Sequence, residues 1–112
     1  MTTKRITKEE KQEMMNYWNS KKIVVHKIMS GETSLKLASV IRSYGADYLK
    51  ELIDLYATIL EVGVDEEDKK YFWTHKWNLY EFLMRGVKKF DGKSPEDYLR
   101  KQKVGVTIKR NN

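Results

Sequence analysis

The sequence predicts a mostly α-helical fold, a compact single domain built as a bundle of four to five helices with one short strand at most. Four segments carry apolar residues at helical spacing behind a capping residue, and the whole chain has a single proline. A chain of 112 residues is long enough to bury roughly two-thirds of its unfolded surface in one domain without disulfides. We expect this helical domain to span residues 1–103, followed by a flexible basic tail at 104–112.

The first predicted helix begins after Thr7 and runs to about Ser20. Thr7 and Glu10 have the spacing of a capping box, in which each side chain satisfies a backbone N–H group at the start of the helix. The segment 23–28 that follows is short and rich in β-branched residues. It is either a short strand or an extended linker, and the pattern does not choose between them.

Two further helices are predicted on either side of Gly45. The second begins at a cap formed by Thr33 or Ser34 and ends at Gly45, a residue type that is common just past helix ends. The third is capped by Asp47 and ends before Gly63. Both contain apolar residues at intervals of three and four, so each presents one face to a core.

Seven of the chain's thirteen aromatic residues lie in the segment 71–90, which makes it the main candidate for core or interface. Asn78 and Glu81 form a second capping box, which predicts a fourth helix from there to residue 90. The apolar face of this helix consists of Leu79, Phe82, Leu83, Val87 and Phe90. Trp77 is predicted to pack into the core, and a last short helix is predicted to begin at Ser94 and Pro95.

Tyr71 and Trp73 leave two interpretations open. They fall on one side of an extended segment that also contains several lysines. As an exposed platform they would stack on unpaired nucleic-acid bases, each stack contributing about 1–3 kcal/mol. As core residues they would fix this segment to the helices, which is the interpretation we favour for Trp73.

The net charge of +6 is concentrated in the last quarter of the chain. Residues 1–84 contain 13 Lys or Arg and 13 Asp or Glu, whereas residues 85–112 contain nine against three. Such a basic segment either binds phosphates by releasing counterions or only confers solubility, and we favour binding. The candidate residues for binding nucleic acid or an acidic partner are Lys88, Lys89, Lys93, Arg100, Lys101, Lys103, Lys109 and Arg110.

Composition disfavours several classes of protein. The absence of cysteine excludes disulfides, thiolate catalysis and cysteine-based zinc sites. The two histidines, His26 and His75, show no metal-binding or catalytic spacing, and the acidic run 65–68 lacks the spacing of a calcium loop. Because the sequence contains no catalytic motif, cofactor fingerprint, signal peptide or membrane-spanning run, we expect a non-enzymatic cytoplasmic protein without metal or cofactor.

Three segments resemble phage and prophage replication proteins of the replisome-organiser, or replication-initiation, group. Residues 77–90 (WNLYEFLMRGVKKF) are similar to the W-x-L-x-x-F-L-x-R-G-x-x-K-F pattern near the C-terminus of these proteins. Residues 17–27 resemble their W-N-S…I-I-x-H-K element, and residues 55–60 resemble their Y-A-x-I-L helix. The winged-helix domain that usually precedes this region in the group has no counterpart in the 112 residues, so we do not expect origin recognition of the group's kind.

The resemblance implies a non-enzymatic binding module in phage DNA replication that contacts DNA, a helicase-loading partner or both. Two alternatives come from other classes of protein. A phage-encoded inhibitor or adaptor would bind a host nucleic-acid-handling defence protein. A homo-oligomerisation domain would use its exposed aromatic residues as an interface. All three alternatives are consistent with the cytoplasm of a bacterial host.

Overall fold

A computed structural model describes residues 5–100, and within them it contains four helices. The first three are α1, Lys8–Ser20, α2, Gly31–Tyr44, and α3, Ala46–Leu60. The fourth, α4, is continuous over residues 79–90 and consists of an α-helical turn Leu79–Glu81, a π-helical turn Phe82–Gly86 and an α-helical turn Val87–Phe90. Two 3₁₀ turns, Glu66–Asp68 and Pro95–Tyr98, lie before and after α4. The mostly α-helical fold predicted from the sequence is confirmed, and the predicted tail at 104–112 lies outside the described residues.

α1 begins after Thr7 as predicted, and its last turn holds the segment 23–28 in place. Thr7 Oγ1 accepts a hydrogen bond from the backbone N–H of Glu10 at 3.1 Å, and the Glu10 carboxylate accepts one from Thr7 at 2.9 Å. At the other end, the Asn19 side chain pairs with both backbone groups of His26, each at 2.9 Å. The segment 23–28 is therefore a linker attached to α1 by a side chain, and it forms no strand.

α2 and α3 begin earlier than the sequence pattern predicts. The N-cap of α2 is Ser30, whose Oγ accepts a hydrogen bond from the backbone N–H of Thr33 at 3.1 Å, so the prediction of Thr33 or Ser34 as the cap is wrong. The prediction of Asp47 as the cap of α3 is also wrong, because Gly45 both ends α2 and begins α3. Gly45 has a φ of +89°, a conformation open to glycine, which lets a single residue turn the chain between two helices.

Asn78 and Glu81 form the predicted capping box at the start of α4. Asn78 Oδ1 accepts a hydrogen bond from the Glu81 N–H at 2.8 Å, and the Glu81 carboxylate accepts one from the Asn78 N–H at 3.2 Å. In the π-helical turn the Val87 N–H donates to the Phe82 carbonyl, five residues back instead of four. Gly86 lies in this turn directly against the core, where a β-carbon would come within 2.5 Å of the Phe82 ring.

The core is built around an aromatic cluster with Tyr56 of α3 at its centre. The centroid of the Tyr56 ring lies between 5.1 and 6.0 Å from those of Trp18, Trp77, Phe82 and Phe90. Trp77 is 7% exposed and its ring lies 6.5 Å from that of Phe82, which confirms its predicted place in the core. All five residues predicted for the apolar face of α4 are buried. The rings therefore join α1, α3 and α4 in one continuous contact.

α4 runs antiparallel to α3 and parallel to α2. Tyr48, in the first turn of α3, donates a hydrogen bond to Asp91 just after α4, whereas Tyr56, later in α3, accepts one from Trp77 just before α4. The start of α4 shares a groove with the start of α2, and the end of α4 shares one with the end of α2. This arrangement leaves one side of α4 lying along α2 at the molecular surface.

The segments on either side of α4 meet beside the end of α3. Tyr71 pairs with Leu99 in an isolated antiparallel bridge. The Glu61 carboxylate, just past α3, accepts hydrogen bonds from the backbone N–H groups of Lys70 and Tyr71 at 2.8 and 3.0 Å. The predicted last helix is a single 3₁₀ turn, Pro95–Tyr98, with proline at its start as expected.

Candidate nucleic-acid interface

Lys88 and Lys89, the first two predicted binding residues, are both exposed on the outer face of α4. They lie in different surroundings. Lys88 lines the groove between α2 and α4, whereas the Lys89 ammonium lies 5.4 Å from the centroid of the Trp73 ring. A cation over an aromatic face gains about 0.5–1 kcal/mol at exposed sites, which holds Lys89 beside Trp73. The two lysines therefore serve two adjacent surfaces.

The groove between α2 and α4 combines positive charge with hydroxyl groups. It has a volume of about 420 Å³, and Lys36 of α2 faces it together with Lys88. Ser39 and Ser43 lie on the same side of α2 as Lys36, because they follow it at intervals of three and four residues. A second groove of about 310 Å³ also includes Lys36 and Ser39, but there Glu32 lines it as well. Ammonium and hydroxyl groups are common donors to phosphate oxygens in protein–DNA complexes.

Lys93 and Arg100 lie next to acidic side chains. The Arg100 guanidinium donates to the carbonyl oxygen of Glu66 at 2.7 Å and to its carboxylate at 3.2 Å. Lys93 lines a groove of about 480 Å³ together with Glu51 and Asp54. Neither residue lines the groove that contains Lys88 and Lys36, since Arg100 is paired with Glu66 and Lys93 lines a separate groove that also contains acidic residues.

The remaining predicted binding residues, Lys101, Lys103, Lys109 and Arg110, lie outside the described residues. Residues 5–100 contain 17 Lys or Arg and 16 Asp or Glu, a net charge of +1. The other 16 residues of the chain contain five Lys or Arg and no acidic residue, which accounts for the rest of the +6. The described domain is thus nearly neutral, and its positive charge matters only where it is clustered.

Tyr71 and Trp73 are both partly buried against the core. The Trp73 ring centroid lies 5.3 Å from that of Trp77 and 5.5 Å from that of Phe90. Phe72, between them in the sequence, is 53% exposed. Tyr71 and Trp73 therefore lie on the same side of the segment, as the alternation predicts, and this side faces the core. Phe72 lies on the side that faces solvent.

A second basic pocket lies between α1 and α2 and involves none of the predicted residues. Lys8 and Lys11 of α1 and Lys27 of the linker line this pocket, which has a volume of about 320 Å³. Lys11 Nζ donates a hydrogen bond to Ser34 Oγ of α2 at 2.7 Å. Sequence reasoning missed the pocket because charge balances over residues 1–84, so counting along the chain hides a cluster that only folding assembles.

His26 connects the linker to the start of α4. Its Nε2 atom accepts a hydrogen bond from the backbone N–H of Leu79 at 3.1 Å, while Asn19 holds its backbone. This is a structural role, because the hydrogen bond attaches the linker to the first turn of α4. Within residues 5–100, no three His, Cys, Asp or Glu side chains lie close enough together to hold a metal ion.

Tyr17, Lys21 and Asp54 form a polar cluster that joins α1 to α3. The Asp54 carboxylate accepts a hydrogen bond from the Tyr17 hydroxyl and forms an ion pair with Lys21 at 2.8 Å. Burial raises the pKa of Asp54, but hydrogen bonds from Lys21 and Tyr17 outweigh burial and hold that pKa below its ordinary value. The hydrogen bond to Asp54 raises the pKa of Tyr17 and of Lys21. None of the three shifts brings a pKa closer to neutral pH, so none of these groups is set up for proton transfer there. The cluster is therefore a structural link between α1 and α3.

Comparisons of the chain with protein-family models, with curated proteins and with solved structures give no match. None of the helices within residues 5–100 is both long enough and apolar enough to span a membrane. What the described residues define is a small helical domain with a basic groove between α2 and α4 and a basic pocket between α1 and α2.

Proposed function

We propose that this chain is a non-enzymatic binding module in phage-type DNA replication, which contacts DNA, a helicase-loading partner or both. The observation that carries the proposal is the placement of charge. Residues 85–112 contain nine Lys or Arg against three acidic residues, and within this stretch Lys88 and Lys89 are exposed on α4. The resemblance of residues 77–90 to replication-initiation proteins supports the biological setting.

Contacts to the DNA backbone explain the chemistry of the surface better than contacts to bases. Lys36 and Lys88 face one groove with two serine hydroxyls, and these groups match phosphate oxygens. Ammonium and hydroxyl groups on phosphates fix the position of a duplex or strand but read no sequence. We therefore expect binding with weak sequence preference and strong salt dependence.

Fluorescence anisotropy with labelled single- and double-stranded DNA tests the proposal. Binding is expected at low salt, with a linear decrease of log affinity against log salt concentration. Removing residues 103–112 deletes Lys103, Lys109 and Arg110. The deletion should lower both the affinity and the salt slope, the slope by roughly two to three units if all three residues contact phosphates.

Substitutions on α4 then test the described surface. Lys88→Glu together with Lys89→Glu should weaken DNA binding further, because both side chains are exposed. Lys22→Glu together with Lys70→Glu is the matched control, since both of those lysines are exposed outside α4 and the change in net charge is the same. Equal weakening by the two double variants removes α4 from the interface. No binding of either DNA form at low salt ends the DNA-binding proposal.

A phage-encoded inhibitor or adaptor that binds a host protein is the second candidate function. One observation favours it: Leu35 of α2 is 75% exposed in the groove that also contains Tyr80, within a domain that is nearly neutral. This candidate requires little DNA binding at physiological salt. It also requires a host protein whose recovery from lysate survives nuclease treatment and is lost with Leu35→Ser.

A further inference from the structure

The pocket between α1 and α2 gathers three ammonium groups from two separate segments of the chain. Lys8 and Lys11 come from the first turns of α1, and Lys27 comes from the linker that Asn19 fixes to the end of the same helix. Its volume of about 320 Å³ lies at the lower end of the range for small-molecule sites. The pocket therefore has room for a ligand of about the size of a nucleotide.

No acidic side chain lines this pocket. The ion pairs described within residues 5–100 are Lys21 with Asp54 and Arg100 with Glu66, so none of the three pocket lysines has a carboxylate partner there. Like charges on the lining of one pocket repel one another, and an anion bound between them lowers that repulsion. The residues that line the pocket thus carry three positive charges and no negative charge.

The polar geometry of the pocket is partly fixed before any ligand binds. Lys11 Nζ donates to Ser34 Oγ at 2.7 Å, which holds the ammonium at the wall formed by α2. The serine oxygen acts as the acceptor in this bond, so its hydroxyl proton is left to donate to a further acceptor. Lys11 and Ser34 together therefore present two adjacent donors to an oxyanion.

The apolar part of the pocket suits the rest of such a ligand. Ile28 is 83% exposed, more than any other large apolar residue in the described part of the chain, and it lines the pocket next to Lys27. Met29, partly buried and packed against the core, lies beside it. A large aliphatic side chain at the mouth of a basic pocket offers a contact face for a sugar or a base.

We propose that this pocket binds a phosphomonoester on a nucleoside, with the phosphate between Lys8, Lys11 and Lys27 and the nucleoside against Ile28 and Met29. A phosphomonoester carries about −1.5 to −2 charges near neutral pH, which is more negative charge than a phosphodiester of the nucleic-acid backbone carries. It therefore neutralises more of the charge of three ammonium groups. The same chemistry has two sources, a free nucleotide and the 5′-phosphorylated end of a nucleic-acid strand. The proposal stands independently of backbone binding by residues 85–112.

The test is a titration of the isotope-labelled full chain, in which the amide resonances are monitored in NMR spectra. The probes are adenosine 5′-monophosphate, adenosine, and one short oligonucleotide with either a 5′-phosphate or a 5′-hydroxyl. We expect saturable shifts at the amides of Lys8, Lys11, Lys27 and Ser34 with a phosphate-bearing probe and not with adenosine. If the nucleotide binds and the oligonucleotide does not compete with it, the ligand is the free nucleotide. If the oligonucleotide binds only when it carries a 5′-phosphate, the ligand is the phosphorylated end of a strand.

Matched variants separate the pocket from general attraction of anions. Lys27→Gln and Lys11→Gln should each weaken binding at least about fivefold, because each removes a charge-assisted hydrogen bond. Lys22→Gln removes the same charge at an exposed position that does not line the pocket and should leave the affinity unchanged. Ile28→Ser should weaken nucleotide binding, whereas Val25→Ser, at a linker residue that is also exposed, should not.

Three outcomes overturn the proposal: no saturable shift with any phosphate-bearing probe, equal binding of adenosine, or equal weakening by Lys22→Gln and Lys27→Gln. The result is separable from backbone binding. Removal of residues 103–112 should leave nucleotide binding unchanged, and Lys27→Gln should leave the binding of unphosphorylated DNA within about twofold of the intact chain, since it removes one of many cations. Failure at the pocket therefore does not imply failure at α4, or the reverse.

Discussion

Tyr56 combines a fully buried ring with a hydroxyl that is hydrogen-bonded on both sides. The hydroxyl accepts a hydrogen bond from the backbone N–H of Trp77 at 2.6 Å and donates one to the carbonyl of His75 at 2.8 Å. Both groups belong to the stretch just before α4, where no helix supplies partners. A single hydroxyl thus satisfies two backbone groups and fixes the position from which α4 begins.

Tyr56→Phe keeps the ring and removes only this hydroxyl. It leaves the buried Trp77 N–H without a partner, whereas the His75 carbonyl still accepts a hydrogen bond from Trp73 Nε1 at 2.7 Å. We therefore expect a loss of about 1–3 kcal/mol in the free energy of unfolding. Urea denaturation at equilibrium measures the loss. Tyr44→Phe is the control, because the Tyr44 hydroxyl makes no hydrogen bond to another residue in 5–100, and it should stay within about 0.5 kcal/mol. Equal losses in the two variants would show that the hydroxyl of Tyr56 has no special role.

Alkaline pH should destabilise the fold through the same residue. Burial raises the pKa of Tyr56 to about 12, from an ordinary value of 10.0. Its folded-state pKa lies above its unfolded value, so the contribution to stability is complete below about pH 10 and is lost as pH rises toward 12. Two units correspond to about 3 kcal/mol. The free energy of unfolding measured against pH should fall less steeply in Tyr56→Phe, and parallel curves would refute the assignment.

At the scale of elements, the helix starts are set by side chains that the sequence pattern locates only in part. The boxes at Thr7 and Asn78 are predicted correctly, because each contains a polar cap and a glutamate three residues later. Ser30 lacks such a glutamate, and Gly45 begins α3 without any side chain. Both starts depend on how the chain turns in space, and a pattern of residue types does not contain that information.

Ser30→Ala tests the corrected start of α2. Loss of the cap leaves the Thr33 N–H unpaired, which should reduce the free energy of unfolding by about 0.5–2 kcal/mol. Ser39→Ala, at an exposed position within the same helix, should be neutral or slightly stabilising because alanine is the better helix former. Thermal denaturation of both variants measures the difference, and a Ser30 variant as stable as the Ser39 variant would contradict the assignment.

Gly86→Ala tests the π-helical turn of α4. A β-carbon at this position would lie 2.5 Å from Phe82 Cδ1 and 3.0 Å from Trp77 Cζ3, so the aromatic cluster would have to shift. We expect a loss of about 1–3 kcal/mol in stability. At Gly31, in the first turn of α2, the same substitution meets nothing within 4 Å and should be neutral or stabilising by up to about 1 kcal/mol. Chemical denaturation distinguishes the two, and a neutral Gly86→Ala would mean that the turn adapts to a β-carbon.

At the scale of the whole molecule, one aromatic cluster holds three helices together. Trp77→Ala removes a ring that contacts Tyr56, Phe82 and Phe90. We expect it to cost about 3–5 kcal/mol, as large aromatic truncations in cores do. Denaturation together with near-ultraviolet circular dichroism measures both the stability and the packing of the remaining rings. A variant as stable as the intact chain would place Trp77 outside the core.

The fold was more accessible to sequence reasoning than the candidate sites. Helical spacing and caps act over a few residues, so α1 and α4 and their buried faces follow directly from the chain. A basic surface depends on which distant residues meet. Arg100 is paired with Glu66 across 34 positions, and Lys8 and Lys27 share a pocket although their region of the sequence is balanced in charge. Neither the Arg100–Glu66 pair nor the pocket shared by Lys8 and Lys27 can be recognised from the local composition of the sequence.

The hydrogen bond from the Leu79 N–H to His26 joins residues 53 positions apart in the sequence. The rings of Phe82 and Phe90 likewise reach back to Trp18 and Tyr56. During synthesis on the ribosome, α1, α2 and α3 emerge before residues 77–90 have been made. The aromatic side chains of these three helices are therefore exposed until α4 is available to pack against them. The core closes only when residues 77–90 have left the exit tunnel. We therefore expect the nascent chain to gain protease resistance in one late step, with chaperones shielding the aromatic surface until α4 docks.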